Sequence, residues 1–230
     1  MPDGKFNDFG YLFIVTYGRS GSTLLQNVLN SIPGYEIMGE NNGALFGLYL
    51  SIDAVGRARQ THGRKPRYAH EPWYGADKFD PDGYRTGLLD QFVGKVLQPS
   101  PGTRVTGFKE IRYLTPQVPK ASFEGYMQFM LRAFPNARII FNIRDTKDVL
   151  NSGWWPERDQ EKIGKKLKAA DRQFRAFAKE NPHAYLVNYD RFLKAPGLYR
   201  ELFDFLQEPY DEGTVSKVLD TRLDHIQRRG

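Results

Sequence analysis

A three-layer α/β fold, a central and mostly parallel sheet of about five strands flanked by helices, is what the sequence predicts. Short apolar runs rich in β-branched and aromatic residues, the composition of strands buried on both faces, alternate with stretches of helical spacing. Each of five such runs ends in a polar or charged cluster: Gly18 to Ser20, Glu40, Lys109-Glu110, Arg144-Asp145 and Asn188 to Asp190. A parallel sheet brings all five clusters to one edge, where ligands bind in such folds. The 230 residues fit a single domain, 1–230, carrying a lid or insertion at residues 60–86.

Tyr11 to Thr16 is the first strand. Gly18-Arg19-Ser20-Gly21-Ser22-Thr23 follows, with two glycines free to take unusual backbone angles among small hydroxyl residues. Leu24, Leu25, Val28, Leu29 and Ile32 then recur at helical spacing, so the loop lies between a strand and a helix N-terminus. Amides of a first helical turn lack intrahelical partners and the helix dipole adds positive potential, which makes this loop a phosphate cradle. It is not a Walker A motif: Ser22 precedes Thr23 where GxxxxGK[ST] has lysine, and the cation is Arg19. An ordinary glycine-rich strand-to-helix turn has the same local composition.

Tyr35 to Met38 forms the second strand and leads to Gly39-Glu40. Two readings fit Glu40, a carboxylate at the ligand-binding edge or one that favours the next helix's dipole. Ala44 to about Arg59 is helical, with Leu45, Leu48, Ile52 and Val55 on one side. From Gln60 to Arg85 the pattern dissolves among Pro66, Pro72, Pro81 and the aromatics Tyr68, Trp73, Tyr74, Phe79 and Tyr84. A loop of that length reads as an acceptor-side lid or acceptor-binding insertion, and aromatics that pack it onto the body fit equally. Helical spacing resumes from Gly87 to Leu97. The third strand, Arg104 to Glu110, presents Lys109, which is either a site cation or a surface lysine.

Ser122 can cap a helix whose apolar face is Phe123, Met127, Met130, Leu131 and Phe134. Ala137 to Ile143 is the fourth strand, followed by Arg144-Asp145 and a helix with Val149, Leu150 and Ser152 that Trp154-Trp155-Pro156 ends. A cation at a helix start costs on the order of a few tenths to 1 kcal/mol unless an anion stands by it. A bound phosphate or the N-cap Asp145 can be that anion. A long polar helix with the stripe Ile163, Leu167, Ala170, Phe174 and Phe177 comes next, then a fifth strand, Ala184 to Val187, and a helix from Leu198 to Leu206. Beyond Pro209 the signal weakens.

A balance of 33 Lys+Arg against 27 Asp+Glu, net +6, suits an anionic ligand. The cations are interleaved with acids rather than lined up in a basic stripe, so no nucleic acid is expected. Absence of cysteine excludes disulfides, thiolate metal sites and cysteine nucleophiles. His62 and His70 fall in the irregular stretch with no metal-ligand spacing, so no metal is expected. No apolar run approaches the roughly 20 residues that span a bilayer, and no signal-peptide core precedes the first strand, which gives the expectation of a cytoplasmic protein without a membrane segment.

Two of these motifs together resemble sulfotransferases that use 3′-phosphoadenosine 5′-phosphosulfate (PAPS), a P-loop-like family. The loop with a basic residue before Ser-Gly-Ser-Thr is similar to that family's 5′-phosphosulfate loop, which implies cofactor contacts from Arg19, Ser20, Gly21, Ser22, Thr23 and Leu24. Arg144 and Ser152, eight positions apart across a strand-to-helix junction, resemble the pair that binds the 3′-phosphate. Asn188 to Phe192 resembles the tyrosine-acid segment after the last core strand, so Tyr189 is expected at the nucleotide. The resemblance, to the glutamate-base branch that includes protein-tyrosine and some bacterial sulfotransferases, implies Glu40 as general base, with Lys109 and Arg19 stabilising charge on the bridging oxygen. It further implies PAPS as co-substrate, adenosine 3′,5′-bisphosphate (PAP) as product, no metal, and an acceptor hydroxyl or amine on a carbohydrate, lipid, peptide tyrosine or small alcohol or phenol. The chain departs from the family pattern in lacking a C-terminal RKGxxG element; it ends at Gln227-Arg228-Arg229-Gly230. A P-loop kinase or NTPase with a degenerate loop, with Asp145 as its magnesium ligand, and a non-catalytic nucleotide-binding module are the alternatives.

Overall fold

Five parallel strands in the order β2-β3-β1-β4-β5 form the central sheet of the computed structural model, which describes residues 5–227. They are β1 (Gly10–Val15), β2 (Tyr35–Met38), β3 (Val105–Glu110), β4 (Arg138–Ile143) and β5 (Ala184–Asn188). β1 is central, pairing with β3 from Gly10↔Val105 to Val15↔Glu110 and with β4 from Leu12↔Arg138 to Val15↔Phe141.

Strand periodicity sorts the core into two halves. Tyr11, Phe13 and Val15 point to one face of β1, packed with Phe108, Phe141 and the helices α3 (Pro81–Phe92), α4 (Lys120–Ala133) and α6 (Gln160–Glu180). Leu12 and Ile14 point to the other, against α1 (Ser22–Asn30), α7 (Tyr189–Lys194), α8 (Leu198–Leu206) and α9 (Glu212–Gln227). Both faces of the sheet are covered, which is why its strands read as continuous apolar runs. The expected three-layer α/β fold is the one observed.

Several boundaries differ from the sequence expectation, each for a local reason. α2 runs Ala44–His62, beyond Arg59, and α3 begins at Pro81 rather than Gly87, so the irregular stretch shrinks to residues 63–80. Proline is at home there: Asp80 caps α3 by accepting from the Gly83 amide at 3.0 Å, and Pro81 fills the first helical position, where no N–H is needed. The expected Ser122 cap is displaced, because α4 starts two residues earlier behind Pro119. Ser152 is not in a helix, since α5 (Thr146–Leu150) ends before it and Ser152 lies in the following turn. Past Pro209, Asp211 accepts from the Gly213 and Thr214 amides and opens α9. Of the terminal run named above, Arg228, Arg229 and Gly230 lie outside the described residues. No helix among those residues is long and apolar enough to cross a membrane.

Candidate active site

Because β1 and β4 are adjacent and parallel, the two strand-to-helix junctions that carry the motifs open side by side. The first turn of α1 has neither an acidic residue nor a side-chain cap, so its amides face the cleft unneutralised. Gly21, its N-cap, has φ 80°, and the Tyr189 ring presses so close that a Cβ on Gly21 would lie 2.1 Å from Cε2. Only glycine fits that approach.

Residues the sequence reading did not single out, Thr16, Tyr17 and Asn142, hold the loop in place. Thr16 Oγ1 lies 2.7 Å from Ser20 Oγ and donates to the Asn142 carbonyl at 2.6 Å, while Asn142 Nδ2 donates to the Ser20 carbonyl at 2.9 Å. A polar residue in the middle of a buried strand, as Asn142 is, was the available sign. Tyr17 spans the two junctions: its hydroxyl donates to Asp171 Oδ1 at 2.9 Å and accepts from the Arg144 amide at 3.1 Å. Burial, then the charge of Asp171, pushes the Tyr17 phenol well up, so it acts as a neutral strut; burial likewise raises the Asp171 carboxyl.

Arg19, Gly21, Ser22, Thr23, Leu24, Glu40, Lys109 and Arg144 line one cleft of about 340 Å³, with Trp154 at its side. Ser20 is buried beneath it. Ser152 joins through Arg19, whose Nε donates to Ser152 Oγ at 3.0 Å, and Arg144 Nη1 donates to the Arg19 carbonyl at 3.2 Å. The two arginines and Ser152 are therefore tied to one another by hydrogen bonds. Asp145 caps α5, but the acid beside the Arg144 guanidinium is Asp190, 3.6 Å from Nε. That distance is an ion pair without a hydrogen bond, so Arg144 Nε is a buried donor still lacking one. The same guanidinium lies 4.9 Å over the Tyr189 ring, which is itself buried under the loop.

Across the cleft, Lys109 Nζ donates to Glu40 Oε1 at 2.6 Å. The lysine side chain is 7 % exposed and the glutamate 40 %, so the ammonium is set in the wall and the carboxylate faces the opening. Neither bland alternative holds. Lys109 is no surface lysine, and the carboxylate serving the α2 N-terminus is Glu110, which accepts from the amides of Asn41 at 3.2 Å, Gly43 at 2.8 Å and Ile111 at 2.8 Å. His62 and His70 are away from the cleft, stacked on Trp73 and Tyr68.

A carboxylate and an ammonium thus share one cleft with unneutralised helix amides and two arginines. Comparison with protein families matches residues 12–212 to the one described as the sulfotransferase family. No curated protein matches the chain. Among solved structures, a sulfotransferase from Mycobacterium avium is similar at 13 % identity over 95 % of this chain and 69 % of that one, with a TM-score of 0.45. The sulfotransferase domain of the curacin biosynthetic pathway gives 17 %, 90 %, 76 % and 0.47. A mouse sulfotransferase complexed with PAP gives 13 %, 94 %, 63 % and 0.45. The chain belongs to the sulfotransferase family. It is an enzyme of sulfuryl transfer, which sets aside the kinase, NTPase and non-catalytic alternatives.

Proposed function

We propose that the protein transfers the sulfuryl group of PAPS to an acceptor hydroxyl, or an amine, with Glu40 as general base and no metal ion. The observation that carries this reading is the 2.6 Å Lys109–Glu40 pair in the same cleft as the α1 amides, Arg19 and Arg144. The chain's own groups suit a doubly anionic nucleotide. The α1 amides, the Ser20–Leu24 loop and Arg19 hold the 5′-phosphosulfate. Arg144, with its unused Nε donor, and Ser152 hold the 3′-phosphate, while Tyr189 backs the loop at the nucleotide.

Glu40 accepts the acceptor's proton as that oxygen bonds to sulfur and the bond from sulfur to the bridging oxygen breaks. Lys109 and Arg19 offset the charge that builds on the bridging oxygen, and PAP leaves. The ammonium now resting on Glu40 is the one that turns to this oxygen, so filling the cradle frees the base. A sulfuryl group carries less charge than a terminal phosphoryl, and two cations with helix amides suffice where phosphoryl transfer uses magnesium. The acceptor is a carbohydrate, lipid, peptide tyrosine or small alcohol or phenol.

Thermal unfolding tests the donor. PAP at about 100 times its Kd should add about 2.7 kcal/mol of stability without magnesium, and Mg-ATP should not. Stabilisation by Mg-ATP alone overturns the reading. A screen of the acceptor classes with labelled PAPS then identifies the second substrate.

A further inference from the structure

The α2–α3 hairpin ends in a patch that the chemistry at the sheet edge does not use. α2 is 19 residues long, so at about 1.5 Å per residue its far end stands roughly 28 Å along the helix from the end nearest Glu40. None of residues 44–97 lines the cleft. The turn beyond α2 is nonetheless ordered by contacts of its own: Trp73 stacks on His62 at 3.9 Å with the rings 4° from parallel, Gly63 abuts the Ala76 carbonyl, and Lys78 lies 5.9 Å over the Tyr74 ring.

What this tip shows to solvent is unusual. Tyr68 is 75 % and Tyr74 57 % exposed, with Trp73 and Phe79 above 40 %, so the rings are not packed onto the body as one sequence reading had them. Arg64, Lys65 and Arg67 precede them in the chain, and Lys78 stands beside Phe79. From Gly56 to His70, five of fifteen residues are Arg or Lys and none is Asp or Glu, a basic run that the chain-wide balance concealed. Glu71, already paired with Arg67 at 3.0 Å, Asp77 and the helix-capping Asp80 are the acids of the stretch that follows to α3. Arg57 is paired with Asp53 at 2.8 Å, which leaves Arg64 and Lys65 as the exposed cations of the basic run carrying the charge.

We propose that this tip is a docking surface for an anionic lipid bilayer, with the aromatic rings seated at headgroup level and the cations against acidic lipids. Charge complementarity selects the occupant. A second copy of the chain docked through the same patch would bring a surface with the same excess of positive charge against it. A soluble polyanion would satisfy the cations but leave the Phe79 ring, which has no polar group, in water. A bilayer surface satisfies both, since Trp and Tyr favour the membrane interface and basic residues are drawn to acidic lipids within a Debye length. The surface acts independently of the sulfuryl donor.

The test is co-sedimentation of the full chain with vesicles of phosphatidylcholine alone and of phosphatidylcholine mixed with phosphatidylserine. Binding is expected only to the mixed vesicles, weakening as salt is raised. Each basic residue at such a surface contributes about fivefold in partition, so Arg64→Gln with Lys65→Gln should cut it about 30-fold. Trp73 helps hold the turn, so the aromatic contribution is read from Tyr74→Ser with Phe79→Ser, which should also lower binding while the unfolding midpoint stays unchanged. Absence of binding to the mixed vesicles overturns the proposal. Vesicle binding that the Tyr74 and Phe79 changes leave intact while heparin competes it away also overturns it, and assigns the patch to a polyanion.

Discussion

Glu40, two residues past β2, and Lys109 in β3 meet only because β2 and β3 are neighbours in the sheet. Glu40→Gln keeps the shape of that pair but cannot take a proton. It should lower turnover with labelled PAPS by about 10²–10⁴-fold while PAP affinity, measured by calorimetry, stays near that of the unaltered protein. Undiminished turnover would pass the role of base to another group. Gly21 is tested differently. With φ 80° and Tyr189 against its Cα, Gly21→Ala should cost about 1–3 kcal/mol of stability to denaturant and weaken PAP binding at least tenfold. Arg19 also sits at positive φ, 70°, a conformation that a non-glycine residue adopts at a cost and that turns its guanidinium toward Ser152.

At the scale of elements, the turn between β2 and α2 is fastened to the end of β3 by one buried carboxylate. Glu110 gathers three amides, two of them just past Glu40, so the strand that supplies Lys109 also fixes the segment that carries Glu40. Glu110→Ala leaves those amides without their acceptor. It should reduce stability by about 1–3 kcal/mol and lower kcat while leaving the KM for PAPS nearly unchanged. The same carboxylate shows what was hidden in the sequence, where Glu110 is one more polar residue at a strand end. α6 was legible because its apolar stripe repeats at helical spacing; the start of α3 was set six residues late and α9 was missed although Asp80-Pro81 and Asp211 are capping signals, because proline was weighed as a breaker.

For the whole molecule, the end of the sheet opposite the site is closed by charge. Arg104, just before β3, grips Glu208, just past α8, through two bonds of 2.7 and 2.6 Å, and Tyr35 at the start of β2 lies 3.1 Å from the same carboxylate. The Arg104 hydrogen bonds hold Glu208 below the ordinary carboxylate range. A carboxyl with a lowered folded-state pKa stabilises the fold above its unfolded pKa, and loses that contribution as pH falls through the folded value. Arg104 is half exposed, so the effect is about 1 kcal/mol. Urea unfolding between about pH 7 and about pH 3 should show Glu208→Gln less stable at the upper value, with the difference vanishing at the lower.

By itself the sequence determined the layers and which polar residues stand at the ends of the strands. Burial on both faces imposes continuous apolar strands, and a parallel sheet forces their polar ends to a shared edge, so Arg19, Glu40, Lys109 and Arg144 could be picked out in advance. Tertiary structure decided who touches whom. Only the order β2-β3-β1-β4-β5 sets Lys109 against Glu40 and makes Arg19, rather than Arg144, the partner of Ser152. It gives Asp190 to Arg144 and lifts the aromatics of residues 63–80 away from the core. Such pairings follow from distances between residues far apart in the chain, and no local pattern encodes them.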